Sequence, residues 1–183
     1  ATDVSGPSKE FRESSNSLIF AFLFALVLIY LVLSAQFESF LDPLTIMFTV
    51  PLAIFGALLT LWAFDFTLNI FSQIGIIMLI GLVTKNGILI VEFANQRKAS
   101  GMDVKEAIYG AAVARFRPIL MTSLSTILGI LPIALALGAG AESRVPMGAA
   151  VIGGLAFATI LTLFIIPAIY TYLTSKEGRL ARI

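Results

Sequence analysis

A chain of 183 residues that is 58% hydrophobic, with a mean hydropathy of +0.99, holds more apolar surface than one soluble core of this size can bury. Its net charge of +1 gives no bulk attraction to nucleic acid. With no Cys and no His it builds no thiol site, disulfide, Cys/His zinc site or histidine proton shuttle.

Residues 1–17 are polar and carry Lys9, Glu10, Arg12 and Glu13, so no cleavable signal peptide is expected. A chain that opens on Ala1 reads as a segment of something longer, processing of a Met aside. Five stretches then approach or exceed the length of about 20 apolar residues that crosses a bilayer: 18–35, 43–64, 70–93, 118–137 and 145–173. In lipid each segment must satisfy its own backbone, and these stretches lack the short alternating pattern of barrel strands. The expected fold is all-α and integral to the membrane, a five-helix transmembrane bundle. Membrane lipid is its first partner.

The long connection after the third stretch carries Arg97, Lys98, Lys105, Arg115 and Arg117, and the tail over 176–183 adds Lys176, Arg179 and Arg182. A surface helix is predicted over about 103–115, with Asp103 as its N-cap and Val104, Ala107, Ile108 and Ala111 at helical spacing. The positive-inside rule makes this basic side, and the C-terminus, cytoplasmic; five spans then leave the N-terminus periplasmic. Trp62, Tyr170 and Tyr172 fall near span ends, where interfacial aromatics belong. Ala150, Gly154 and Ala158 form a row of small residues suited to close helix packing, and Pro51, Pro132 and Pro167 should bend their helices.

Lys85 interrupts the third stretch about 5 Å from its midpoint. A lysine at such depth costs about 2.5–3.5 kcal/mol, which favours an orientation toward the bundle interior and an anion. Glu92, seven residues on, lies about 10 Å away along the same face, so the expected counter-ion is on a helix outside this chain. Arg115 and Thr122 are also seven apart, and the antiparallel third and fourth spans should set Thr122 level with Lys85. A threonine alone in a span more often bonds its own helix's carbonyl, and Arg117 reads as an anchor at the basic edge. No phosphate-binding loop, metal-ligand set or buried carboxylate pair points to an enzyme. A Ser/Lys intramembrane hydrolase would have Lys85 as the base for Thr122 or Ser123, and is disfavoured.

The stretch from Gly81 to Asn95, GLVTKNGILIVEFAN, resembles the tenth span of the resistance-nodulation-division (RND) drug exporters, and Arg117 to Ser123, RPILMTS, the start of their eleventh. The segment ending AQFES at Ser39 resembles the eighth span, and Gly148 to Tyr172 the twelfth. The resemblance covers most of residues 8–175. It implies a proton-driven antiporter of hydrophobic and amphiphilic compounds in the bacterial inner membrane, powered by the proton-motive force and needing no cofactor or metal. The family's relay lysine, threonine and arginine fall on Lys85, Thr122 and Arg115, and its two relay aspartates lie on a span absent here. The partners it implies are the missing N-terminal spans and porter domains, a homotrimer, a periplasmic adaptor, an outer-membrane channel and small-molecule substrates. Alone, the chain is expected to be inactive. The rival readings are a non-transporting scaffold or regulatory fragment and a metal-ion exporter; the latter lacks support in the scattered Met47, Met78, Met102, Met121 and Met147.

Overall fold

A computed structural model describes residues 7–137 and 142–180, with side chains described over 17–137 and 142–173. The remaining residues include most of the loop expected at 138–144, the first part of the N-terminal segment and the end of the tail, and lie outside this description. Six helices follow in order: α1 (Pro7–Phe37), α2 (Leu41–Met47), α3 (Thr49–Ala63), α4 (Ile70–Ala99), α5 (Val104–Ala134) and α6 (Val145–Leu180), the last entered through a 3-10 turn at Glu142–Arg144. With α2 and α3 counted as one path, five segments among the described residues are long and apolar enough to cross a membrane. The protein is an all-α membrane bundle.

Local chemistry explains where these helices start and stop. Asn69 caps α4: its side chain accepts from the Ser72 amide (2.8 Å) while the Ser72 hydroxyl accepts from the Asn69 amide (2.9 Å). Asp103 caps α5 by accepting from the Lys105 amide. At the other ends, α3, α4 and α5 each close on a residue with left-handed backbone, Asp65, Gly101 and Ala136. The following amide reaches back five residues, from Phe66 to Leu61, Met102 to Arg97 and Leu137 to Pro132. Only Gly101, at φ 91°, takes that conformation without a Cβ penalty.

Three elements differ from the sequence reading. Pro51 does not bend a continuous second span. It sits in the first turn of α3, and the path breaks at Phe48, because Pro51 has no N–H for the Met47 carbonyl. The Thr49 hydroxyl donates to the neighbouring Ile46 carbonyl (2.7 Å) instead. The expected surface helix over 103–115 and the fourth span are one helix: α5 runs through Pro118, and Ala107, Ile108 and Ala111 are buried against the bundle rather than lying on a surface. Tyr170 is buried, whereas Tyr172 and Trp62 are exposed.

Helix α6 is the hub, packing on α3, α4 and α5, while α1 touches mainly α2 and α4. Within the spanning windows, 6% of α1 and 11% of α5 is buried, against 50% of α4, so α1 and α5 form the outer walls. The small-residue row of α6 lies inside. A Cβ on Gly154 would collide with Leu79 and stand 3.0 Å from the Ala53 carbonyl oxygen; one on Gly148 would stand 2.8 Å from the Ala134 backbone nitrogen. Two apolar clusters result. One, around Ile46, Ile90, Ala111 and Ile166, lies toward the α4–α5 turn. The other, around Ala57, Leu79, Val151 and Leu155, lies toward the opposite end.

Backbone obstacles do not move aside as side chains do, so Gly148→Leu and Gly154→Leu should each destabilise the bundle by about 1–3 kcal/mol. Gly81 faces open space. Gly81→Ala should therefore leave stability unchanged or raise it by up to about 1 kcal/mol through helix propensity. Unfolding in mixed micelles followed by circular dichroism checks both. Equal midpoints for all three variants would contradict this packing.

Candidate functional site

Midway along α4, the residues on either side of Lys85 turn inward. Thr84 and Asn86 are 4% and 2% exposed, while Lys85 itself is exposed. Consecutive helical residues lie about 100° apart, so inward neighbours leave the lysine to the outside of the bundle. Lys85 opens between α4 and α5 on an outer face of these five spans. Glu92 does not reach it and accepts from the Gln96 side-chain amide (2.9 Å) instead. Among the described residues no acid pairs with Lys85.

Lys85 and Thr122 line one cleft, together with Leu82, Asn86, Ser123, Thr126 and Leu155. Its free space of about 10 Å³ hardly admits one water molecule. The Thr122 hydroxyl donates to the Ile119 carbonyl of its own helix (3.1 Å), and the Thr126 hydroxyl donates to the Thr122 carbonyl (2.8 Å). Thr122 thus has a local partner and still lines the cleft, where its oxygen retains capacity to accept.

Behind this pair runs a buried polar layer. The Asn86 amide donates to the Ser123 hydroxyl (3.4 Å), which shares a 2.9 Å hydrogen bond with the Thr159 hydroxyl of α6. Thr162, one turn further along α6, is fully buried and its hydroxyl has no hydrogen-bond partner. The layer separates the two apolar clusters and joins three helices immediately inside the Lys85–Thr122 cleft. Sequence reasoning overlooked Asn86 and Thr159. The available signal was their position as hydrogen-bonding side chains deep in apolar stretches, on helices that pack together.

Arg115 stands apart from the cleft. Its guanidinium carbon lies 4.6 Å from the centroid of the Phe93 ring, and that of Arg97 lies 4.9 Å from the same centroid. Arg115 Nε is buried without an acceptor. At the same end of the bundle the Asn95 amide donates to Asp42 (2.7 Å), and Tyr170 donates to the Asn95 side-chain oxygen (2.5 Å). This tie links α2, α4 and α6 and explains why Tyr170 is drawn inside. Of the three residues singled out from sequence, two therefore share a site and the third occupies a cation–aromatic cluster nearer the α4–α5 turn.

The family model described as AcrB/AcrD/AcrF matches residues 1–174. The chain is 44% identical over 176 residues to a protein of Erwinia tasmaniensis called multidrug resistance protein MdtC, covering 96% of this chain and 17% of that protein. It is 42% identical over 182 residues to a Haemophilus influenzae transporter without a described activity, covering 96% and 18%. The corresponding figures for MdtC of Cronobacter sakazakii are 42% over 178 residues, 97% and 17%. The chain thus spans less than a fifth of the length of these relatives. Its helices, its span motifs and the family match agree that the chain belongs to the AcrB/AcrD/AcrF family of resistance-nodulation-division transporters.

Proposed function

We propose that this chain is the C-terminal membrane portion of a proton-driven transporter that exports hydrophobic and amphiphilic compounds across the bacterial inner membrane. The observation that carries the reading is Lys85: an ammonium at mid-span, exposed beside Thr122 on an outer face of the five spans, with no acid paired to it among the described residues. A charge at that depth needs a counter-charge or water, and a helix packed over the α4–α5 face would supply it. Carboxylates on that helix would attract Lys85 when ionised and release it when protonated. Proton binding would thereby shift the balance between two arrangements of the interface. Thr122, whose own hydrogen goes to the Ile119 carbonyl, would accept from the same groups when they are protonated, and Arg115 would stand at the basic end of the proton path. The names of the MdtC relatives support a multidrug substrate range.

In this reading the chain works only with the remaining spans and porter domains, within a homotrimer joined to a periplasmic adaptor and an outer-membrane channel. The basic residues at the α4–α5 turn support a cytoplasmic position for that end and a periplasmic N-terminus. A scaffold role is the reading to be excluded, since a lysine that only holds packing would also tolerate this geometry.

Within a complete transporter, Lys85→Met or Thr122→Ala should reduce drug resistance to that of cells lacking the transporter, with membrane-inserted protein unchanged on immunoblots. Full resistance in both variants would leave the relay assignment without support. A second test concerns the layer behind the cleft. Ser123→Ala and Thr159→Val should each cost about 0.5–1.5 kcal/mol, and the double variant less than their sum, because the shared hydrogen bond is lost only once. Additive losses in micellar unfolding would show that the two hydroxyls do not act together.

A further inference from the structure

No acid among the described residues holds Lys85, so the direction of its side chain follows the helix that carries it. Apolar packing defines the azimuth of α4 only loosely, because that helix is apolar nearly all round. Gly81, one turn before Lys85, adds no grip: a Cβ there would meet nothing within 4 Å. Thr84 donates to the Ile80 carbonyl of its own helix and ties α4 to nothing else. Beside Lys85, the directional contact from α4 to another helix is the hydrogen bond from Asn86 to Ser123.

This inner pair is the outer pair displaced by one residue on each helix. Asn86 follows Lys85 on α4, and Ser123 follows Thr122 on α5. Ser123 is the junction. Its contact with Asn86 is long, at 3.4 Å, and its contact with Thr159 of α6 is short, at 2.9 Å. The shorter bond makes Thr159 the firmer anchor of the Ser123 hydroxyl. Thr159 is itself a fixed point, because α6 is seated by backbone contacts: Gly148 lies against Ala134 of α5 and Gly154 against Ala53 of α3. Thr159 is 3% exposed and does not line the Lys85–Thr122 cleft.

We propose that Thr159 is a positioning residue for the relay. Acting through Ser123, it holds Asn86 and with it the azimuth of α4, so that Lys85 and Thr122 face the same groups on the added helix. The role rests on the relay function proposed for those two residues. Thr162 supplies an internal comparison: it lies one turn further along α6, is fully buried, and its hydroxyl has no hydrogen-bond partner.

The test is initial-rate drug export and drug-stimulated proton uptake by the complete transporter in liposomes, expressed per inserted protein. Thr159→Val keeps the volume and removes the hydroxyl, and should lower kcat about tenfold with KM for the drug unchanged, as a misaligned reacting group does. Thr159→Ser keeps the hydroxyl and should hold kcat within about twofold of the parent. Were residue 159 only filling space, the order would reverse: Thr159→Ser would leave a small cavity and Thr159→Val would match the parent. Thr162→Val makes the same chemical change one turn away and should leave both constants unchanged. Parental kcat in Thr159→Val overturns the proposal, as does an equal loss in Thr162→Val or in Thr159→Ser. Lys85→Met in the same assay separates the two levels. Continued export in Lys85→Met sinks the relay and the positioning role with it. Where Lys85→Met is inactive, parental kcat in Thr159→Val removes the positioning role alone. If Thr159→Val does not insert, Thr159→Ala takes its place, and the same loss of kcat at constant KM is required of it.

Discussion

An ammonium group carried at mid-depth on an apolar helix has to be met by something, and much of this bundle is arranged around that requirement. Lys85 is turned outward because both of its neighbours are turned inward, where Asn86 meets Ser123 and Thr84 donates to the Ile80 carbonyl of its own helix (2.8 Å). The polar layer and the exposed lysine are therefore two consequences of one helical azimuth. Rotating α4 to bury Lys85 would pull Asn86 away from Ser123 and push apolar side chains into its place. The cation is presented at a face, within reach of an added helix, and not sealed in the interior.

The polar layer also divides the apolar packing. On the side away from the α4–α5 turn, α6 offers Ala150, Gly154 and Ala158, and backbones approach until a single added carbon would strike a neighbour. On the other side, larger side chains such as Ile46, Ile90 and Ile166 fill the space, and the Asp42–Asn95–Tyr170 tie closes the end. Without a hydrophobic force between helices in lipid, close backbone contact and interhelical hydrogen bonds do the work of holding α6 to its neighbours. Helix α1 lacks this treatment, and α1 and the outer face of α5 present apolar side chains outward, as expected where lipid or further helices cover them.

Some errors of the sequence reading come from treating position along the chain as position in space. Tyr170 lies near a span end, where tyrosines commonly face headgroups, yet its hydroxyl finds Asn95, seventy-five residues away in the chain. The region around Asp103 to Arg115 has the amphipathic pattern of a surface helix, but its apolar face packs against the bundle, and the helix continues through Pro118. That proline removes only one donor from the helical ladder, a loss that packing on both sides can absorb.

Hydropathy and length are properties of a stretch, and they were enough to locate the five spans, mark the basic end and expose Lys85 as an anomaly. The span motifs went further and identified the family. Which way each side chain faces was decided only by the tertiary structure. A helix that is apolar nearly all round, as α4 is, carries almost no periodic signal from which its azimuth can be read. The outward turn of Lys85, the partnership of Asn86 with Ser123 and Thr159, and the stacking of Arg115 on Phe93 all depend on that azimuth. It is settled by how α4, α5 and α6 interlock, an interaction between distant segments that no single stretch contains.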